Sequence, residues 1–380
     1  MNTNRYAPTS VEQRIRKSIL KLRWESIHLD PLLFFLILCL AGLGLMILYS
    51  ASNASTHVVS HQVIHFLIAT TCLIGVAQIN PNRLKIITPY LYLLSLCLIL
   101  LVPFIGHSSQ GAKRWIGFHA FYIQPSEIMK LAMPMMLAWL MDEYHCPPSG
   151  KLLLTCFIVL LLPVAFIAKQ PDLGTAIVIF ISGLFVIILA GLNWKYFVGM
   201  IALAVATSPV AWHFMHAYQK NRILTLLNPQ NDPLGTGYNI IQSEITVGSG
   251  GFWGKGWLRG TQTHLAFLPT HTTDFIFAVS AEEFGLFGCL LLILLLLTIL
   301  WRCCVISIGA QTSFSRLLCA ALSFTFISSA LINIGMVIGI LPVVGIPLSL
   351  ISYGGTHMVT TCISFGMMMS VHTNKKLWSS

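Results

Sequence analysis

The sequence predicts an all-α polytopic membrane protein with about ten transmembrane helices and a large extracytoplasmic loop between the seventh and eighth spans. Of its 380 residues, 56% are hydrophobic and only 9% are charged, too little polar surface to cover a soluble chain of this size. The apolar residues also fall in runs long enough to cross a hydrocarbon core, which takes about 20 residues of helix. The exception is a polar, glycine-rich stretch at 218–274. Loops of that length without a packed core of their own are uncommon unless they bind or catalyse.

The N-terminal tail, residues 1–30, is basic, and it is too long and polar ahead of the first apolar run to be a cleavable signal peptide. The predicted spans are 31–50, 58–79, 86–105, 121–141, 152–168, 173–190, 196–217, 275–300, 317–341 and 348–371. Counting Lys and Arg between them gives fourteen on the N-terminal side and seven on the other, which places both termini in the cytoplasm and the long loop outside. The net charge of +10 then suits anionic lipid head groups and not nucleic acid. No repeat or second domain is visible, so residues 1–380 form one membrane domain. The ten cysteines include no C-x-x-C pair, so neither a disulfide frame nor a thiolate zinc site is indicated.

Few charges stand on the outer side, and each has two readings. In the turn before the fourth span, Lys113, Arg114 and Trp115 suit a ligand with an anionic head and an apolar or sugar body, or else anchor the interface. Glu127 and Lys130 share a helical face, as a structural ion pair or as substrate contacts. In the turn Lys169-Gln170-Pro171-Asp172, the proline ends one helix and Asp172 caps the next, leaving Lys169 to meet an anion. His57, His61 and His65 recur every four residues, but without nearby carboxylates they read as interfacial or buried neutral histidines. The glycines at 248–251 and 254–256 read as flexible turns, since no Walker-type G-K-[ST] is present.

Asp274 differs in kind. It stands where a polar segment meets the apolar run 275–279, so partial desolvation should raise its proton affinity toward that of a general base, while an N-cap is the structural alternative. Glu282 lies within roughly 80° of Asp274 around the helix axis and Glu283 nearly opposite, so Glu282 is the one expected beside Asp274. In the last two spans, Asn333, Pro342, Gly345, Pro347 and the run 351–357 break the helices, which survives at membrane depth only where protein or water satisfies the backbone.

Several motifs in fixed order carry a resemblance that covers nearly the whole chain: GAKRWI at 111–116, QPSE at 124–127, KQPDLGTA at 169–176, DPLGTGYNIIQS at 232–243, GSGGFWGKGW at 248–257, HTTDFIFAVSAEEFG at 271–285 and NIGMVIGILPVVGIPLSLISYGG at 333–355. With these the chain resembles the SEDS family (shape, elongation, division and sporulation), and its elongation branch more than the division paralogue. Two departures are Thr270-His271-Thr272, where the family usually has a charged pair, and Thr356-His357-Met358 after SYGG.

The resemblance implies a peptidoglycan glycosyltransferase that polymerises lipid II on the outer face of the bacterial plasma (inner) membrane, for elongation and rod shape. It implies Asp274 as the essential acid, acting as general base or holding a divalent cation such as magnesium that bridges the pyrophosphate. Lys113, Arg114, Lys130 and Lys169 would neutralise the departing pyrophosphate, with Trp115, Glu127 and Glu282 as further substrate contacts. The partners implied are a class B penicillin-binding protein transpeptidase and other elongation-complex membrane proteins. A lipid II flippase is the rival class, and a non-catalytic scaffold is a third.

Overall fold

The structure, a computed structural model, describes residues 27–109, 112–118, 121–144, 148–215, 217–231, 235–264 and 270–374, so most of the basic tail lies outside the described residues. The chain opens with α1 (Pro31–Ala51), α2 (Thr56–Ala77) and α3 (Pro81–Ile105). After a small sheet come α4 (Pro125–Glu143), α5 (Gly150–Lys169), α6 (Leu173–Leu189) and α7 (Trp194–Phe214). Three helices follow within the predicted loop, α8 (Ala217–Leu227), α9 (Thr236–Ser249) and the short α10 (Thr261–His264). The chain ends with α11 (Ile276–Ile308), α12 (Ser313–Val337) and α13 (Gly355–Thr373). Six of these, α1, α2, α3, α5, α11 and α12, are long and apolar enough to cross a membrane, and α6 is apolar but shorter.

Caps set the helix starts as the local sequence dictates. Asp30 accepts from Leu33 N at 2.8 Å just ahead of Pro31, and Asn80 accepts from Asn82 N at 2.9 Å just ahead of Pro81. At the same end of the bundle, Asp30 also pairs with Arg302 and, at 3.2 Å, with His372, tying α1 to α11 and α13. Lys85 meets Asp142 at 2.6 Å, and the other oxygen of Asp142 accepts from Phe314 N at 3.0 Å, so α3, α4 and α12 are clamped together. Helix α4 is buried on nearly every side, against α3, α6, α12 and α13, and forms the central post.

Two expectations are corrected. The fold is not all-α, because the turn before α4 holds a three-stranded antiparallel sheet, β1 (His107–Ser109), β2 (Ala112–Phe118) and β3 (Phe121–Ile123). Tyr122 sits opposite Gly117 and Ile123 opposite Ile116, a pairing of aromatic and β-branched residues that suits a pleated surface. Nor is the glycine-rich segment a set of flexible turns. Helix α11 is broken at Gly285, whose φ of 64° a residue with a side chain rarely adopts. The freed backbone is taken up by the loop: Leu286 N donates to Gly251 O at 3.0 Å and Phe287 N to Phe252 O at 3.2 Å. In return Lys255 N donates to Glu282 O at 3.0 Å and Gly256 N to Glu283 O at 2.9 Å. A Cβ on Gly254 would sit 2.1 Å from Glu283 O, so glycine is what lets the two backbones approach. Residues 250–256 are a splint on a broken helix.

Candidate active site

Asp274 sits in the turn just before α11, half-buried, and it is not a cap: Phe275 holds the N-cap position and no side chain bonds there. The turn is held from α12 and from the irregular segment that follows it. Asn333 Nδ2 donates to both Asp274 O and Ile346 O at 2.7 Å, Ser352 Oγ to Thr273 O at 2.6 Å, and Tyr353 N to Thr272 O at 3.0 Å. Gln62 of α2 braces the segment, donating to Ser352 O at 3.0 Å and accepting from Gly354 N at 3.3 Å. Gly345, with φ of 74°, lies against the carboxylate, since a Cβ there would be 3.6 Å from Asp274 Oδ2. The backbone around Asp274 is thus fixed by groups from three elements.

Burial pushes the Asp274 carboxyl up to about 6, and the charges of Arg114 and Arg222 oppose that rise. Arg114 is set in place by the turn between α5 and α6. It donates to Pro171 O and lies 3.9 Å from Asp172 Oδ1. Asp172 caps α6, accepting from Thr175 N at 3.4 Å, and its other oxygen accepts from Gln124 and Ser126 at 2.8 and 3.2 Å. The Nε of Arg114 is buried with no partner among the described residues. The site therefore sets one proton-hungry carboxylate under the charges of two guanidinium groups, an arrangement able to take a proton and receive an anion together.

The other sequence-predicted residues fall into separate places. Lys113 precedes Arg114 on β2 where the pairing with β1 is irregular: Ser108 faces Lys113 and His107 faces Trp115, so Arg114 is an extra residue between them. Lys113 lines, with Lys169, Leu100, Phe104 and Phe166, a groove of about 530 Å³ between α3 and α5. Trp115 stands opposite His107 in the sheet. Glu127 and Lys130 are buried in α4, joined at 2.5 Å.

Glu282 is wholly buried and accepts from Lys255 Nζ at 2.7 Å, Gln262 N at 2.9 Å, Thr263 N at 3.2 Å and Thr263 Oγ1 at 2.8 Å. Its bonds go to the loop, which it pins to α11. Replacing Glu282 with Ala unpairs a partly exposed lysine and strands two backbone donors, a loss on the order of 1–3 kcal/mol. Hydrogen exchange in residues 255–263 is expected to accelerate markedly in that variant, and unchanged protection there would refute the clamp. Gln62, Asn333 and Arg222 escaped the sequence reading as site residues. An amide in an apolar helix had to find partners, but which ones was not legible.

The fold and the site define a polytopic helical membrane protein with a half-buried carboxylate of raised proton affinity under the charges of two arginines. A family model described as cell cycle protein, covering FtsW, RodA and SpoVE, matches residues 31–377. The chain belongs to this FtsW/RodA/SpoVE family. It is 42% identical over 360 residues to the peptidoglycan glycosyltransferase MrdB of Escherichia coli (strain K12), covering 94% of this chain and 97% of that one. Against the peptidoglycan glycosyltransferase RodA of Treponema pallidum (strain Nichols) identity is 29%, covering 91% and 98%. Among solved structures, a chain of a peptidoglycan synthase complex that coordinates polymerization and crosslinking superposes with a TM-score of 0.80 at 28% identity, covering 90% and 97%. The crystal structure of Thermus thermophilus RodA gives 0.68 at 25%, covering 90% and 96%.

Proposed function

We propose that the protein is a peptidoglycan glycosyltransferase that polymerises lipid II, with Asp274 as general base. The observation that carries this reading is the half-buried Asp274 carboxylate, its turn fixed by Asn333, Ser352 and Tyr353 and exposed to the charges of Arg114 and Arg222. Asp274 takes the proton from a sugar 4-hydroxyl of the acceptor as that oxygen attacks the anomeric carbon of the donor. The bond from that carbon to pyrophosphate breaks, and the polyprenyl pyrophosphate leaves with the electron pair. A carboxyl near 6 is still ionised at neutral pH yet a stronger base than an ordinary aspartate. The guanidinium groups offset the charge gathering on the leaving pyrophosphate.

No three His, Cys, Asp or Glu side chains converge among the described residues, so a magnesium ion here would be shared between Asp274 and the substrate's phosphates. A divalent cation would have to arrive on the pyrophosphate itself. The same reading sets ten spans in the inner membrane, both termini in the cytoplasm and the 218–274 segment outside, as the charge asymmetry of the loops supports. A class B penicillin-binding protein is the partner proposed, supported by the likeness to a polymerizing and crosslinking complex.

Purified protein in detergent with lipid II tests the function, since glycan strands made with no membrane to cross exclude a flippase. Strands are expected with the protein alone and more rapidly with the transpeptidase; equal rates with and without its outer stem would remove activation by the partner. No strands in any mixture would end the polymerase reading.

A further inference from the structure

We propose that His357 is a positioning residue for this reaction, a strut that joins the buried Glu127–Lys130 pair to the segment holding the Asp274 turn. The proposal rests on the glycosyltransferase reading above. His357 lies in the first turn of α13, one of the two places where the chain departs from the motifs that align it with its family. Its ring spans two elements. Nδ1 is 3.1 Å from Glu127 Oε2 on α4, and Nε2 is 3.2 Å from Ser349 Oγ in the segment between α12 and α13.

The chemistry assigns the protons. Lys130 occupies the other oxygen of Glu127 at 2.5 Å, so the carboxylate is ionised and can only accept. In the neutral imidazole Nδ1 therefore carries the hydrogen, and Nε2 accepts from the Ser349 hydroxyl. The Thr360 hydroxyl lies 3.1 Å from the same Glu127 Oε2. The charged groups facing the ring are Glu127 and Lys130; the remaining polar lining of the small cavity around them, about 30 Å³, is hydroxyl. Ser349 is 1% exposed. From it the path to Asp274 is short: Leu348 N donates to Ser352 Oγ at 2.8 Å, and that hydroxyl donates to Thr273 O at 2.6 Å. A shift of Ser349 is carried to the residue next to Asp274. Misplacement by about 1 Å at a distance from the chemistry costs on the order of a hundredfold in rate.

The test measures kcat and KM for lipid II in wild type, His357→Ala, Ser349→Ala and the double variant, with thermal midpoints alongside. Each single variant is expected to lose about tenfold or more in kcat with KM little changed, since the strut aligns the base and touches no substrate. The double variant should be no slower than the worse single one, because both break the same strut. Unchanged kcat, or losses that multiply, would overturn the proposal, as would a loss explained by a smaller folded fraction. Should His357→Ala fail to accumulate, Ser349→Ala decides alone, since it removes one oxygen. A wild type that makes no strands rejects the polymerase reading; a competent wild type with unaffected variants rejects only the strut.

Discussion

Asp274→Asn is expected to abolish polymerisation while making the folded protein more stable at pH 8. The amide keeps the size of the side chain but cannot take a proton, and positioned general bases contribute about a hundredfold to ten-thousandfold in rate. Since Asp274 caps no helix, loss of a cap cannot account for the effect. The stability arm follows from the raised proton affinity. The carboxyl titrates near 6 in the folded chain against its ordinary 3.8, so the folded state favours the protonated form. That contribution is full below the ordinary value and is lost as pH rises through about 6. Above it the ionised group costs stability that the amide does not, about 1–2 kcal/mol after allowing for its partial exposure. The advantage of the Asn variant in thermal midpoint should therefore be small at pH 4, partial at pH 5 and largest above about 6. In wild type the rate should fall about tenfold per pH unit below about 6, because the ionised form is the base. Near-normal turnover by the Asn variant would remove Asp274 from the chemistry.

The Glu127–Lys130 pair is expected to yield the second largest effect. Both side chains are about 5% exposed, so removing one leaves a buried charge unpaired, at a cost of about 3–5 kcal/mol. Replacing both with apolar residues of similar volume, Glu127→Leu with Lys130→Met, is expected to restore the bundle, since desolvation and attraction nearly cancel in such pairs. A folded double variant without polymerase activity would assign the pair to function. Recovery of strand synthesis in it would reduce the pair to structure. Membrane yield, thermal midpoint and strand assay, read as a double-mutant cycle, separate the outcomes.

The helices were legible in the sequence because apolar runs and the punctuation between them are local signals. Pro171 with Asp172 marked the α5 to α6 turn, and Asp172 does cap α6. What escaped reading depends on contacts between distant residues. Glycines at 248–256 look the same whether they free a chain or admit a second backbone, and only the break at Gly285 shows which. Likewise Lys113, Arg114 and Trp115 read as one basic cluster, but an irregularity in the β1–β2 pairing falls within them, with Lys113 lining the α3–α5 groove and Arg114 acting on Asp274. Helical spacing put Glu282 near Asp274, whereas the loop supplies its bonding partners. His357 drew notice only as a departure, since its link to Glu127 crosses about 230 residues of sequence.

The splint on α11 bears on how the chain is made. Residues 282–287 cannot satisfy their own peptide groups across the break, and an open backbone is costly in hydrocarbon. Their partners at 251–256 are synthesised about thirty residues earlier, close enough for inexpensive closure. With the loop outside, as proposed above, the glycine segment must already have crossed the membrane when the upper part of α11 reaches its final depth. Biogenesis then acquires an order: export of the loop comes before completion of α11, and a chain stalled between the two exposes raw peptide to lipid.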